Sequence, residues 1–207
     1  MDGITVTRWW WVRHAPVQAP PGTIVGRMDL PCDLSDTGAV GALAARLPAG
    51  ALWLATGLCR TRQTAAALKT ARGDATPMEI AAGLVEQDFG AWQGMTHGDL
   101  ADDPVAAAFW RDPALNRPPG GESFADLAAR TAESVADLTR RHAGRDIVMV
   151  GHAGPIRAAV GIALGLTPER MLAIGCDCLH LTRLDHIAGP SAGEAAWRVT
   201  ALNIPPR

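Results

Sequence analysis

Short apolar runs alternate with longer segments of helical periodicity along most of this chain. Short apolar runs bounded by turn residues are typical of buried strands, and apolar residues three or four positions apart are typical of helices packed on a sheet. The predicted strands cover residues 8–12, 51–55, 78–81, 147–150, 179–184 and 196–202, with the last two as edge strands. This order of elements predicts an α/β fold, namely a three-layer α/β/α sandwich with a mainly parallel sheet.

Cap residues define the ends of the predicted helices. Four helices are predicted, bounded by residues 35–48, 59–73, 123–144 and 155–165. Ser35 and Ser123 are predicted N-caps, and Gly73 occupies a position where a left-handed C-cap is expected. Pro155 is predicted at the first helical position of the last helix, since proline is common there.

Residues 83–119 break this periodicity with several glycines and prolines, although residues 102–111 have a helical pattern. Irregular insertions of this length often form lids or substrate loops. The whole chain, residues 1–207, is therefore predicted to be a single domain with a lid-like insertion around 83–119.

Composition narrows the range of functions. The formal net charge is −2, and Lys69 is the one lysine, so no basic surface for nucleic acid is expected. The four cysteines form no CxxC pair, which favours reduced thiols in the cytoplasm. No segment has the apolar length of a membrane span, so we expect a soluble cytoplasmic protein. The composition does not indicate an oligomeric state.

The first predicted strand ends in Arg13 and His14. In an open α/β sheet, ligands bind at the carboxyl ends of the strands. A guanidinium beside an imidazole at such a position suits an anionic ligand, and phosphate is the first hypothesis.

Three further segments place charged groups after later strands. They are Leu58-Cys59-Arg60-Thr61-Arg62-Gln63-Thr64-Ala65, Glu86-Gln87-Asp88-Phe89-Gly90-Ala91-Trp92-Gln93-Gly94 and Gly151-His152-Ala153-Gly154-Pro155-Ile156-Arg157. With the Arg-His pair, these segments resemble the signatures of the histidine phosphatase superfamily, also called the phosphoglycerate mutase-like family. The four motifs occur in order over about three quarters of the chain.

The resemblance implies a phosphoglycerate mutase-like fold and a phosphatase that hydrolyses small phosphomonoesters. It implies that His14 is the nucleophile that becomes phosphohistidine. It also implies that Arg13, Arg60 and His152 form the phosphate pocket and that Glu86 is the proton donor. The scheme requires no cofactor and no metal, and the six histidines show no metal-binding spacing. The expected partner is a small phosphorylated metabolite.

Physical chemistry supports these roles separately. Phosphoryl transfer needs an in-line nucleophile and neutralisation of charge on the phosphoryl oxygens, which arginines provide through bidentate contacts. An ordinary imidazole has a pKa of about 6.5, so a neutral attacking nitrogen is available near neutral pH.

The chain departs from the family pattern at several accessory positions. Ala15 follows the Arg-His pair in place of glycine, and Val17 and Pro20 replace a common hydroxyl residue and a common asparagine. Ala55-Thr56-Gly57 stands where Ser-Ser-Pro is typical. The segment from Gly26 to Pro31 is similar to one found in the α-ribazole phosphatase branch.

Several alternatives remain at this stage. Asp29, Asp88 and Glu122 are other carboxylates that could donate the proton, and Arg27 and His97 are candidate substrate-loop residues. Alternative functions are a cofactor-dependent phosphoglycerate mutase and a non-catalytic phospholigand-binding domain. The absent accessory residues argue against the mutase, and the joint presence of the catalytic residue types argues against the binding domain.

Overall fold

A single six-stranded sheet organises the chain in a computed structural model that describes residues 3–189 and 195–207. The strands are β1 (Thr5–Arg13), β2 (Leu52–Ala55), β3 (Met78–Ile80), β4 (Asp146–Gly151), β5 (Leu181–Ala188) and β6 (Ala195–Ile204). Their order across the sheet is β3-β2-β4-β1-β5-β6. The predicted single domain also includes residues 1–2 and 190–194, which lie outside the described residues, and it stays a prediction.

The sheet is mainly parallel, as predicted. β3, β2, β4 and β1 run parallel to one another, and β5 and β6 are added in antiparallel pairing. The prediction of β5 as an edge strand was wrong, because β5 lies between β1 and β6. Strand order depends on pairing between distant segments, which a local apolar run does not specify.

The helices of the described chain are α1 (Thr37–Arg46), α2 (Cys59–Arg72), α3 (Pro104–Arg111), α4 (Phe124–Arg141), α5 (Ala153–Leu164) and α6 (Pro168–Met171). The predicted α1 cap was one residue early, since Asp36 and not Ser35 accepts the hydrogen bond from the Ala39 N–H. The short α6 was not predicted. The capping box at Ser123 and the left-handed cap at Gly73 are confirmed.

The start of α5 differs from the prediction in a way that matters for the site. The helix begins at Ala153 with His152 as its N-cap, so Pro155 is the third helical residue and not the first. Proline is compatible with this position because the first four N–H groups of a helix have no intrahelical acceptor. The earlier start brings the amino end of α5 directly to His152.

Helices cover both faces of the sheet and complete the three layers. Trp9 and Trp11 are fully buried on the face covered by α4 and α5, where Val135 and Ile156 belong to the same core. On the other face, Trp53 packs with residues of α1 and α2. These two apolar layers fix the carboxyl ends of the central strands.

The predicted irregular insertion has its own small core. It contains two 3₁₀ turns (Ala82–Leu84 and Gly90–Trp92) as well as α3. Trp92 and Phe109 meet edge to face with centroids 5.1 Å apart. Residues 94–97 pair with the first loop, where the Ile24 N–H donates to the Met95 carbonyl at 2.8 Å. The insertion therefore supports the loop that follows β1.

Candidate active site

The register of the central strands brings two histidines together. Arg13 at the end of β1 pairs with Gly151 at the end of β4, so the next residue on each parallel strand is a histidine. The rings of His14 and His152 meet at a centroid distance of 5.3 Å. Ala55 of β2 pairs with Val150, which places Thr56 beside the same position. The carboxyl ends of three adjacent strands thus lie together at one edge of the sheet.

His14 is buried and held in a defined tautomer. Its Nδ1 atom lies 2.7 Å from the Ala15 carbonyl oxygen, which can only accept, so Nδ1 carries the proton. The Nε2 atom then has a free lone pair. Burial, reinforced by the charges of Arg60 and Arg13, lowers the pKa of His14 to about 3 although the Ala15 hydrogen bond opposes this. The imidazole is neutral at neutral pH.

His152 supports His14 from inside the protein. It is completely buried, and its Nε2 atom lies 2.8 Å from the Thr56 hydroxyl. Its Nδ1 atom has no partner within the described residues. Burial, together with the neighbouring His14 and arginines, keeps the pKa of His152 well below its usual value.

Two arginines flank His14 without forming an ion pair in the described parts of the chain. Arg60 is 1% exposed, and its terminal nitrogens donate to the carbonyls of Met28 and Gly26 at 2.6 and 2.7 Å. Arg13 donates to the Cys176 carbonyl at 2.5 Å. The Nε atoms of both arginines are buried and have no partner in the part of the chain that the structure describes. Both positive charges therefore remain available to an anion.

Glu86 lies at the amino end of α5. Its Oε1 atom accepts from the backbone N–H groups of Gln87 and Gly154 at 3.0 and 3.1 Å. Gly154 allows this approach, since a Cβ there would lie 2.5 Å from Oε1. Both hydrogen bonds engage one oxygen, which leaves Oε2 for chemistry in the cavity that Glu86 lines.

A cavity of about 290 Å³ unites these groups. Its ionisable lining residues are Arg13, His14, Arg60, Glu86 and Cys178. The rest of its wall comes from the loop between residues 16 and 26. Of the predicted catalytic residues, His152 is the one outside this lining, and its ring packs against that of His14.

The other candidate proton donors are engaged elsewhere. Glu122 binds Arg130 through both of its oxygens, and its Oε1 also accepts from Arg27 at 2.9 Å. Asp88 accepts from Arg27 and from the Gly90 N–H, and Asp29 accepts from the Cys59 N–H. None of the three lines the cavity, which singles out Glu86.

The two candidate substrate-loop residues point elsewhere. Arg27 donates from Nε to the Glu86 carbonyl at 3.0 Å, and its terminal nitrogens face Asp88 and Glu122. Three protein acceptors hold the Arg27 guanidinium, and Arg27 does not line the cavity, so its contact with substrate stays a prediction. His97 is exposed and packs against Trp110 with centroids 5.1 Å apart, so it does not reach the cavity either.

Three supporting residues were not identified from the sequence. Thr64 accepts from the Ala15 N–H at 3.0 Å and so fixes the turn after His14. Arg130 donates to the Glu86 carbonyl at 3.1 Å. Thr56 orients His152. Two signals were available: Thr64 belongs to the Gln-Thr-Ala motif, and Thr56 lies in the segment where Ser-Ser-Pro is typical of the family. Arg130 has no local pattern that reveals its partners.

Metal-binding and membrane-spanning features were sought in residues 3–189 and 195–207. This part of the chain has no group of three or more His, Cys, Asp or Glu residues arranged to hold a metal ion. Within the same residues, no helix combines the length and the apolar character needed to cross a bilayer.

Comparison with known families identifies the architecture. The family model described as "Histidine phosphatase superfamily (branch 1)" matches residues 9–200. The chain belongs to the histidine phosphatase superfamily. Among its relatives, glucosyl-3-phosphoglycerate phosphatase of Mycolicibacterium vanbaalenii is 36% identical over 96% of this chain and 95% of that protein.

Solved structures of this superfamily share the fold. A mycobacterial glucosyl-3-phosphoglycerate phosphatase superposes with a TM-score of 0.81 and 28% identity, covering 96% of this chain and 99% of its own. That protein was also solved with VO3 and with inorganic phosphate. The α-ribazole phosphatase of Shigella flexneri has a TM-score of 0.80 and 26% identity, covering 95% of this chain and 96% of its own.

Proposed function

We propose that this histidine phosphatase hydrolyses small phosphomonoesters through a phosphohistidine on His14. The observation that carries the proposal is a set of unpartnered buried nitrogens in one site. The Nε atoms of Arg13 and Arg60 and the Nδ1 atom of His152 are buried without a partner among the described residues. Buried donors are nearly always satisfied, so a ligand with several acceptor oxygens is the natural partner of these nitrogens. A phosphoryl group has this chemistry.

In the first step, the lone pair on His14 Nε2 forms a bond to phosphorus, and the bond from phosphorus to the ester oxygen breaks. Glu86 gives its proton to that oxygen, which leaves as a neutral alcohol. The neutral imidazole needs no separate base, because its proton stays on Nδ1 against the Ala15 carbonyl.

In the second step, the Glu86 carboxylate takes a proton from water, whose oxygen attacks phosphorus. The nitrogen–phosphorus bond breaks, its electron pair returns to Nε2, and inorganic phosphate is released. Glu86 regains its proton and His14 its lone pair, so the cycle closes.

The proposed phosphate ligands are Arg13, Arg60 and His152. The two guanidinium groups neutralise the charge on the phosphoryl oxygens, a role that other phosphoryl-transfer enzymes give to a metal ion. In the proposed arrangement the Thr56 hydroxyl, 2.8 Å from Nε2 of His152, donates to that atom, so the proton of the ring lies on Nδ1 and can be donated to a phosphoryl oxygen. We therefore propose a metal-independent reaction.

We further propose residues 1–207 as one domain, with 83–119 as an insertion that supports the wall of the cavity. A cytoplasmic location fits the four cysteines, none of which is in a disulfide in the described chain. The substrate class is a small phosphorylated metabolite, which fits both the cavity of about 290 Å³ and the phosphorylated sugar compounds named in the relatives.

Hydrolysis of 4-nitrophenyl phosphate in excess chelator tests this function. We expect turnover to persist with chelator and to be lost in His14→Asn, whose smaller amide cannot act as the nucleophile. His97→Ala is the matched control, because this exposed histidine lies away from the cavity and should retain wild-type activity. Activity that disappears with chelator and returns with a divalent ion would contradict the proposal.

A further inference from the structure

We infer that this enzyme selects phosphate esters whose organic part is uncharged and disfavours esters with a second anionic group. The inference rests on the proposed function, since it concerns the leaving group of the same reaction. It concerns the part of the cavity beyond the phosphate ligands. That part determines which alcohol the cavity accepts.

The wall beyond the phosphate ligands has one ionisable side chain in the described chain, the thiol of Cys178. Its side chains are apolar or neutral and belong to Pro16, Val17, Ala19, Pro20, Thr23 and Val25. Cys178 completes the wall, and burial raises the pKa of its thiol, so it stays uncharged at neutral pH. A carboxylate in this space would lose water without gaining a cation.

The arginines that line the cavity and the arginine of the loop that follows β1 already have partners or a proposed role. Arg13 and Arg60 are needed by the phosphoryl group, which carries up to two negative charges. Arg27 is the arginine of the loop that follows β1, and Asp88 and Glu122 hold it. With Arg130 on Glu122, two arginines match two carboxylates, so this group has no net positive charge to offer.

Glu86 strengthens the selection. It lines the same cavity, and its Oε2 atom is the free oxygen. In the first step Glu86 becomes ionised as it gives its proton to the leaving oxygen, and a carboxylate on that same alcohol would then be repelled. Like charges held together in a desolvated site are strongly unfavourable.

The inferred substrate preference distinguishes this chain from relatives with similar sequences. The name glucosyl-3-phosphoglycerate phosphatase denotes a substrate with a carboxylate beside the phosphate ester. The Arg27 contacts and the neutral wall instead favour esters of neutral alcohols, such as sugar or nucleoside phosphates.

Two substrates of nearly the same shape test the inferred preference for esters with an uncharged organic part. Glycerol 1-phosphate and 3-phosphoglycerate share a three-carbon chain and differ in a hydroxymethyl group against a carboxylate. We expect kcat/KM for the glycerol ester to exceed that for 3-phosphoglycerate by about 10²-fold, the scale of an unfavourable like-charge contact. Equal or reversed preference, with both substrates turned over, would overturn the inference alone. Absence of hydrolysis of either ester and of 4-nitrophenyl phosphate would overturn the proposed function and the inference with it.

A gain of function provides the complementary measurement. Val17→Lys places an ammonium group on the half-buried wall, and Val17→Met is the control of similar length without charge. Relative to Val17→Met, we expect Val17→Lys to raise the preference for 3-phosphoglycerate over glycerol 1-phosphate at least about tenfold. An unchanged preference ratio in folded, active Val17→Lys would show that the neutral wall does not select substrates.

Discussion

Two pairs of arginines close to Glu86 have opposite electrostatic environments. Arg27 and Arg130 are matched by the carboxylates of Asp88 and Glu122. Among residues 3–189 and 195–207, Arg13 and Arg60 donate only to backbone carbonyls, and each keeps an unpartnered Nε atom. The first pair is neutralised within the protein, and the second retains its positive charge.

The difference shows which arginine charges are neutralised within the protein and which remain available to a ligand. The matched pair holds the backbone of Glu86, since both arginines donate to its carbonyl oxygen. The unmatched pair is fixed by neutral acceptors, which position a guanidinium without cancelling its charge. An arginine held by carbonyls in a cavity is thus prepared for an anion, whereas one held by carboxylates is not.

The largest expected effect comes from Glu86, the carboxylate that lines the cavity, and not from Asp88 or Glu122, which form ion pairs with arginines. Glu86→Gln should slow hydrolysis of an alkyl phosphate by roughly 10² to 10⁴-fold, the usual contribution of a positioned acid. A nitrophenolate leaves without a proton, so phosphorylation of His14 by 4-nitrophenyl phosphate should slow much less. Pre-steady-state bursts measure that step separately from water attack. Equal losses on both substrates would mean that Glu86 only shapes the cavity.

The two pairs of arginines should respond differently to vanadate. Arg60→Ala should weaken binding by roughly 10² to 10³-fold, since it removes one strong donor to the oxyanion. Arg27→Ala should change vanadate affinity less than about threefold and instead lower thermal stability, because it leaves Asp88 and part of Glu122 without a cation. Calorimetric titration and thermal melts of both variants compare the two effects. Similar losses of vanadate affinity would remove the distinction between the pairs.

A smaller effect tests how His152 is oriented. Thr56→Val preserves the shape of the side chain and removes the hydroxyl that contacts Nε2, so kcat should fall about tenfold, the scale of one lost buried hydrogen bond. Thr56→Ser should restore most of the rate because it restores the hydroxyl. A role in folding alone would leave kcat of the folded Thr56→Val protein at the wild-type value.

The smallest effect concerns the burial of His14. In the unfolded chain this histidine has a pKa near 6.5, and in the folded protein the pKa is about 3, so the unfolded state binds more protons between these values. The unfolding free energy should therefore fall as pH decreases through this window, by up to about 1.4 kcal/mol per pH unit for this group. Urea denaturation of the wild type and of His14→Asn at pH 7, 6 and 5 measures the difference. Parallel profiles would show that His14 is not buried as a neutral ring.

The sequence was sufficient for the positions of His14 and His152, since each follows a recognisable strand and strand ends meet at one edge of the sheet. It was not sufficient for the ion pairs that hold Arg27 and Arg130. The carboxylates that hold Arg27 lie 61 and 95 residues further along the chain, and no local pattern specifies such contacts. The interior position of β5 was missed for the same reason, because strand order is set by long-range pairing.

Trapping the phosphoenzyme tests the central claim most directly. Rapid quenching during turnover of a phosphate ester, followed by mass spectrometry of the intact protein and its peptides, should show one phosphoryl group on His14. The modification should be labile in acid and stable in base, and it should be absent from His14→Asn and present in His97→Ala. A phosphoryl group on another residue, or steady turnover by His14→Asn, would contradict the account.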